Sequence, residues 1–136
     1  MGRARQKGVP FVLLGVGFDL LENSRFEQEL TRGEWSSHDG IFTPKELSQC
    51  NSARKPALSY AACFAAKEAT LKAMGRQVSD LAIFREVEVE FRQDGAHRIV
   101  LHDRLREESK GLGVRRIHFS IARSASQTGA MVILEN

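Results

Sequence analysis

Apolar residues recur along this chain at several spacings, and each spacing predicts a different element. Phe11 to Phe18 is a continuous apolar run interrupted by Gly15 and Gly17, which predicts a buried strand. Leu20, Leu21, Phe26 and Leu30 mark one apolar face and predict a helix from Asp19 to about Thr31, and Gly33 to Gly40 reads as polar loop. Thr43-Pro44-Lys45-Glu46 combines a capping box with proline at the first helical position, so a short helix opens there. After a loop at Asn51 to Pro56, an alanine-rich helix is expected from about Leu58 to Met74, with Gly75 placed for a left-handed cap.

The second half alternates. Val87, Val89 and Phe91 face one way and Glu86, Glu88 and Glu90 the other, and Asp94-Gly95 is a hairpin signal into a strand from Arg98 to His102. Asp103 to Lys110 can form a short amphipathic helix closed by Gly111. Ile117, Phe119 and Ile121 alternate with His118, Ser120 and Ala122 as a half-buried strand, and Gly129 to Leu134 is the last one. The pattern is α+β. It predicts a flexible basic tail at residues 1–8 and one domain over 9–136.

Composition narrows the function classes. Hydrophobic content of 42% and charged content of 27% are ordinary for a globular chain of 136 residues. A net charge of +3 with no long basic run favours acidic or phosphorylated partners over nucleic acid. The apolar stretch after the tail is too short to span a bilayer and runs into Asp19 without a cleavage pattern, so neither a membrane span nor a signal peptide is expected. Cys50 and Cys63 show no metal-binding spacing and read as buried, reduced thiols of a cytoplasmic protein.

The candidate chemistry lies in FAAKEATLKAMG, Phe64 to Gly75. Glu68 and Lys72 are four apart and share a helix face, while Ala65, Ala69 and Ala73 let another backbone pack closely. Such a carboxylate and amine can hold a metal ion and a phosphate side by side, or form an ordinary surface pair. Asp19 is open to two readings as well: a helix N-cap, or a metal ligand at the mouth of the sheet. Magnesium takes one or two carboxylates and leaves its other positions to water and phosphate.

In their order, these segments resemble a known family. GVGFDLLENSRFEQ (Gly15 to Gln28), IFTPKELSQC (Ile41 to Cys50), FAAKEATLKAMG, REVEVEFRQDGAHRIVL, IHFSIARS and the closing GAMVIL match the short bacterial type of holo-acyl-carrier-protein synthase, a phosphopantetheinyl transferase. The resemblance covers nearly everything from Phe11 to Leu134. It implies a small antiparallel sheet packed against one long helix and shorter helices. The implied reaction moves the phosphopantetheine arm of coenzyme A onto a serine of an acyl carrier protein and releases adenosine 3',5'-bisphosphate.

The resemblance also implies roles. Asp19 and Glu68 would be Mg2+ ligands and, with Lys72, the catalytic set. Lys67, Lys72, Arg123 and Ser124 would bind coenzyme A, and Arg25 and Arg32 would grip the acidic carrier protein. The serine proton could pass to Glu68, to Lys72 or to a metal-bound water. Short members are homotrimers with active sites between subunits, so a homotrimer is expected.

Three departures stand out. Ser120-Ile121-Ala122-Arg123 replaces the family's S-x-S-H or S-x-T-H, which puts Arg123 where a histidine helps bind the nucleotide end of coenzyme A. Cys63 replaces an arginine common before Phe64, and Gly75-Arg76-Gln77 replaces a glycine-threonine-glycine loop. An arginine can hold phosphate bidentately, so one phosphate cation is lost and another gained. These departures leave two further readings: other chemistry on coenzyme A or carrier-bound acyl thioesters, and a non-catalytic carrier-binding oligomer.

Overall fold

The computed structural model describes residue 8 and residues 10–32, 40–78 and 80–136. Of the expected basic tail and the polar loop at 33–40, all but Gly8 and Gly40 lie outside the described residues. Strand β1 (Leu13–Glu22) leads into helix α1 (Asn23–Thr31), followed by α2 (Pro44–Asn51) and the long α3 (Pro56–Ala73). A 3-10 helix (Leu81–Glu86) precedes strands β2 (Val87–Glu90) and β3 (Arg98–Leu101). Helix α4 (Asp103–Gly111) and strands β4 (Arg116–Arg123) and β5 (Gln127–Glu135) complete the chain. The strands form an antiparallel sheet in the order β1-β5-β4 and a separate β2-β3 hairpin. No helix among the described residues is long and apolar enough to cross a membrane.

Helix α3 is the centre of the packing. It lies against β1 and β5 and also touches α1, α2 and β2. Its contact with β1 is unusually close because two strand residues have no side chain. A Cβ on Gly15 would sit 2.0 Å from the Ala73 carbonyl oxygen, and one on Gly17 only 1.8 Å from that of Ala69. The alanine stripe expected to admit a second backbone therefore does so, and glycine is what it admits. Gly75 takes φ 71° and ends the helix in the left-handed cap its position predicts.

The sequence pattern misplaces the β1–α1 boundary. Asp19 is neither the first residue of a helix nor its N-cap; it lies within β1, opposite Ala130 of β5. Val16, Phe18 and Leu20 keep a two-residue period and stay paired to β5, so the strand continues to Glu22. Asn23 makes the corner. Its buried side chain donates to the Ser124 and Ala125 carbonyls at 3.1 and 3.3 Å and accepts from Thr128 Oγ1 at 2.6 Å.

The other elements follow their local signals. The Thr43–Glu46 capping box forms in both directions, at 3.2 and 2.8 Å. Side chains of α2 also cover the outer edge of β2. Gln49 bonds the Val89 carbonyl and the Phe91 N–H at 3.3 and 3.0 Å, and Glu46 Oε2 accepts from the Val89 N–H at 2.8 Å. Glu86 and Glu90 are buried despite their charge because cations meet them. Glu90 pairs with Arg98 and with Lys45 (2.7 Å), and Glu86 pairs with Arg104 (3.0 Å).

Gly17→Ala is the substitution this packing tolerates least. The added methyl meets helix backbone rather than a movable side chain, so a stability loss of about 3 kcal/mol is expected. Chemical denaturation measures it, and a loss below about 1 kcal/mol would contradict the close contact.

Candidate active site at the mouth between β1 and α3

Three adjacent stripes on α3 face three different neighbours, as 3.6 residues per turn requires. Ala65, Ala69 and Ala73 face β1 and its glycines. Phe64, Glu68 and Lys72 lie beside them: Phe64 is buried, while Glu68 is half-buried and Lys72 exposed at the mouth. Cys63 and Lys67 point away from β1. Because Asp19 follows Gly17 by two residues, its side chain is on the same face of β1 and arrives under the Glu68–Lys72 stripe.

The polar groups meet there. Lys72 Nζ lies 3.0 Å from Asp19 Oδ1 and 3.1 Å from the Phe18 carbonyl, with the lysine side chain 53% exposed and Asp19 buried. Burial pushes the Glu68 carboxyl up to about 7, helped by the hydrogen-bonding approach and negative charge of Asp19; Lys72 and Arg25 pull it partway back. Asp19 Oδ2 is buried with no hydrogen-bond partner. A buried carboxylate oxygen that no N–H or hydroxyl reaches, beside a second carboxyl that can approach only in its protonated form, is a ligand pair that a hard divalent cation fits. Among the described residues no cluster of three or more metal-ligating side chains forms. Two carboxylates are thus what the protein offers, and water or phosphate oxygens would fill the remaining positions.

Comparison with known proteins identifies the family. The model of the 4'-phosphopantetheinyl transferase superfamily matches residues 15–122. The chain belongs to this superfamily. It is 36% identical, over 91% of its length and 99% of the relative's, to a holo-[acyl-carrier-protein] synthase of Geobacter sp. (strain M21). It is 35% identical to one from Syntrophus aciditrophicus, over 89% of this chain and 94% of that one. The crystal structure of the Neisseria meningitidis holo-[acyl-carrier-protein] synthase superposes with a TM-score of 0.81 at 26% identity, over 92% of this chain and 100% of that one. A Bacillus anthracis synthase in complex with CoA (3',5'-ADP) superposes with a TM-score of 0.72 at 25% identity, over 91% and 97% of the two chains.

The transferase fold brings some of the expected site residues together and separates others. Asp19, Glu68 and Lys72 converge. Arg25 joins their surroundings, its guanidinium 5.9 Å from the Phe64 ring one turn before Glu68 and paired with Glu29 at 3.2 Å. Arg32 caps the C-terminal end of α1, one helix length away. Arg123 ends β4 and Ser124 follows it, on the far side of β5 from β1 and apart from Asp19. Arg123 lines a groove with His97, Phe119 and Ser120, and Ser124 Oγ accepts from the Ser126 and Gln127 N–H groups in the β4–β5 turn.

Lys67 requires a correction. It is fully buried, 2.6 Å from Glu46 Oε1 and donating to the Phe84 and Val87 carbonyls at 2.8 and 2.5 Å, so it has no path to a phosphate. One residue from Glu68 is 100° of helix rotation, which sends the lysine into the core. Cys63, four residues earlier, follows it there and donates to Glu46 Oε2 at 3.0 Å. Glu46 is the residue that the sequence patterns alone undervalue, since its capping-box signal describes only its bond to Thr43.

The raised Glu68 carboxyl has a measurable consequence. Folded and metal-free, it keeps its proton up to about pH 7, against 4.5 for an ordinary glutamate. The folded state then binds more protons than the unfolded one between those values, so this group's contribution to stability falls as pH rises through that window. Thermal midpoints in EDTA should show this slope between about pH 4.5 and 7, and Glu68→Gln should remove it. A slope unchanged by the substitution would contradict the assignment.

Proposed function

We propose that Asp19, Glu68 and Lys72 form the site where this transferase moves the phosphopantetheine arm of coenzyme A onto a serine of an apo acyl carrier protein. Asp19 and Glu68 would hold Mg2+, and adenosine 3',5'-bisphosphate would leave. The observation that carries this reading is the buried, partnerless Asp19 Oδ2 beside Glu68 and Lys72, in a chain whose relatives are holo-[acyl-carrier-protein] synthases. The bound cation would supply Lewis-acid neutralisation of charge on the pyrophosphate and the leaving group.

The chain's own groups do the rest. Lys72 is anchored through Asp19 and the Phe18 carbonyl, yet half its side chain is in solvent, so its ammonium can reach a phosphate oxygen from a fixed base. Of the two candidate proton acceptors in the protein, the site favours Glu68. A Glu68 carboxylate has oxygens that can accept, whereas the Lys72 ammonium is already a donor to two oxygens. As the serine oxygen bonds the transferred phosphorus, the bridging pyrophosphate oxygen would leave on adenosine 3',5'-bisphosphate, and Lys72 would face the charge that develops there.

Partner and assembly follow from surface chemistry. Arg25 lies on α1 near the mouth and Arg32 at the far end of that helix, so an acidic carrier helix would meet both by lying along α1, and the net charge of +3 favours that encounter. Val16, Phe18 and Leu20 of β1 and Met131 of β5 stand exposed on the outer face of the sheet. An apolar stripe of this kind is an association surface, and a homotrimer would cover it. It would also let Arg123 and Ser124 of one subunit bind the nucleotide end of coenzyme A at the next subunit's carboxylates. Two buried cysteines with no disulfide between them accord with a cytoplasmic enzyme.

Asp19→Ala and Glu68→Ala should each lower kcat by about a hundredfold or more while the chain still folds. A loss under threefold in both would remove the site from the reaction. Sedimentation equilibrium should give three times the 15.2 kDa chain mass, and Phe18→Glu should shift it to the monomer. A wild-type monomer that transfers at full rate would contradict the shared site.

A further inference from the structure

Apolar burial alone does not determine how α3 is rotated about its axis. Nearly every position from Tyr60 to Ala73 is buried, and six of those residues are alanines, so the helix has no single apolar stripe. Turned by 100°, it would bring Ala66, Thr70 and Met74, or Phe64, Glu68 and Lys72, against the glycines of β1, and Glu68 and Lys72 would no longer face Asp19. The alanines at 69 and 73 favour one rotation at β1, and a group with only one possible resting place on the opposite face would fix it.

We propose that the Lys67–Glu46 ion pair, completed by the Cys63 thiol, is a positioning device that sets the rotation of α3 and so aims Glu68 and Lys72 at Asp19. The proposal rests on the reading of those three residues as the active site. Lys67 lies two residues before Ala69, about 160° around the axis from the contact with β1. The helix is therefore held from opposite sides, by glycine against alanine on one and by charge on the other.

The bonds leave no slack. All three Lys67 ammonium hydrogens have acceptors: Glu46 Oε1, the Phe84 carbonyl and the Val87 carbonyl. Glu46 accepts four groups, Lys67 Nζ and the Thr43 N–H at Oε1, the Cys63 thiol and the Val89 N–H at Oε2. The set joins α2, α3, the 3-10 helix and β2. Any other rotation would leave a charge buried among carbon atoms, a penalty no apolar residue at 67 could impose. Apolar pairs of similar volume often stabilise a core as well as a buried ion pair does, so the gain here is in specificity of orientation rather than in strength.

The test compares Lys67→Met/Glu46→Gln with Cys63→Ala and Cys63→Ser, each assayed with coenzyme A, Mg2+ and an apo carrier protein well below its thermal midpoint. The double variant should fold cooperatively, keep its KM for coenzyme A within about threefold and lose about tenfold to a hundredfold in kcat. Cys63→Ala should lose several-fold in kcat, and Cys63→Ser, whose hydroxyl still donates to Glu46, should recover it. If the double variant does not fold, the Cys63 pair decides. Added to Glu68→Ala, the double substitution should cost clearly less than it does alone, because part of its effect acts through Glu68. Wild-type kcat in the clasp variants with only a lowered thermal midpoint would overturn the proposal, as would additive losses in the Glu68→Ala background. Full activity in Glu68→Ala itself would instead overturn the site assignment.

Discussion

The approach of α3 to β1 is the constraint on which the rest depends. Two strand positions without side chains let the backbones meet at a distance that any methyl group would block, with Ala69 and Ala73 supplying the small surface opposite. The consequence is geometric. Asp19 follows the second glycine by two residues and Glu68 precedes Ala69 by one, so closing the contact carries the two carboxylates toward each other. Larger residues at the contact would keep the same elements and chain order yet hold these side chains apart.

Bringing two carboxylates together in a half-buried place is unfavourable by itself, and the electrostatics show it. Glu68 resists ionisation, Asp19 keeps one oxygen without a donor, and Lys72 compensates only in part. Under the proposed function, a divalent cation and a pyrophosphate would bring the charge that complements this tension at the mouth. The core immediately behind it is the reverse: Glu46 and Lys67 have every polar atom bonded. A saturated ion pair beside an unsaturated one distinguishes scaffold from site within a single helix.

Much of this was legible in the residues. The capping box at Thr43–Glu46, the extent of α3, the hairpin at Asp94-Gly95 and the pairing of close-packing alanines with a Glu–Lys face all follow from local rules that tertiary packing did not override. Asp19 was recognisable as chemistry but not as a strand residue, because Leu20 and Leu21 fit a helical face as well as a strand, and only pairing with β5 decides. Lys67 was misjudged for a related reason. A lysine beside Glu68 suggests a phosphate cation, but helical phase rotates it away from the mouth, and the acceptors that welcome it come from the 3-10 helix and β2. Arg123 shows another limit: its distance from Asp19 within one subunit depends on strand order, which no local signal encodes.

The most direct measurement is intact-protein mass spectrometry of an apo acyl carrier protein incubated with this chain, coenzyme A and Mg2+. The account predicts a mass gain of one phosphopantetheine arm, lost on adding EDTA and absent with Glu68→Ala. No gain across several apo carrier proteins with a folded chain, or a gain that EDTA does not affect, would contradict it.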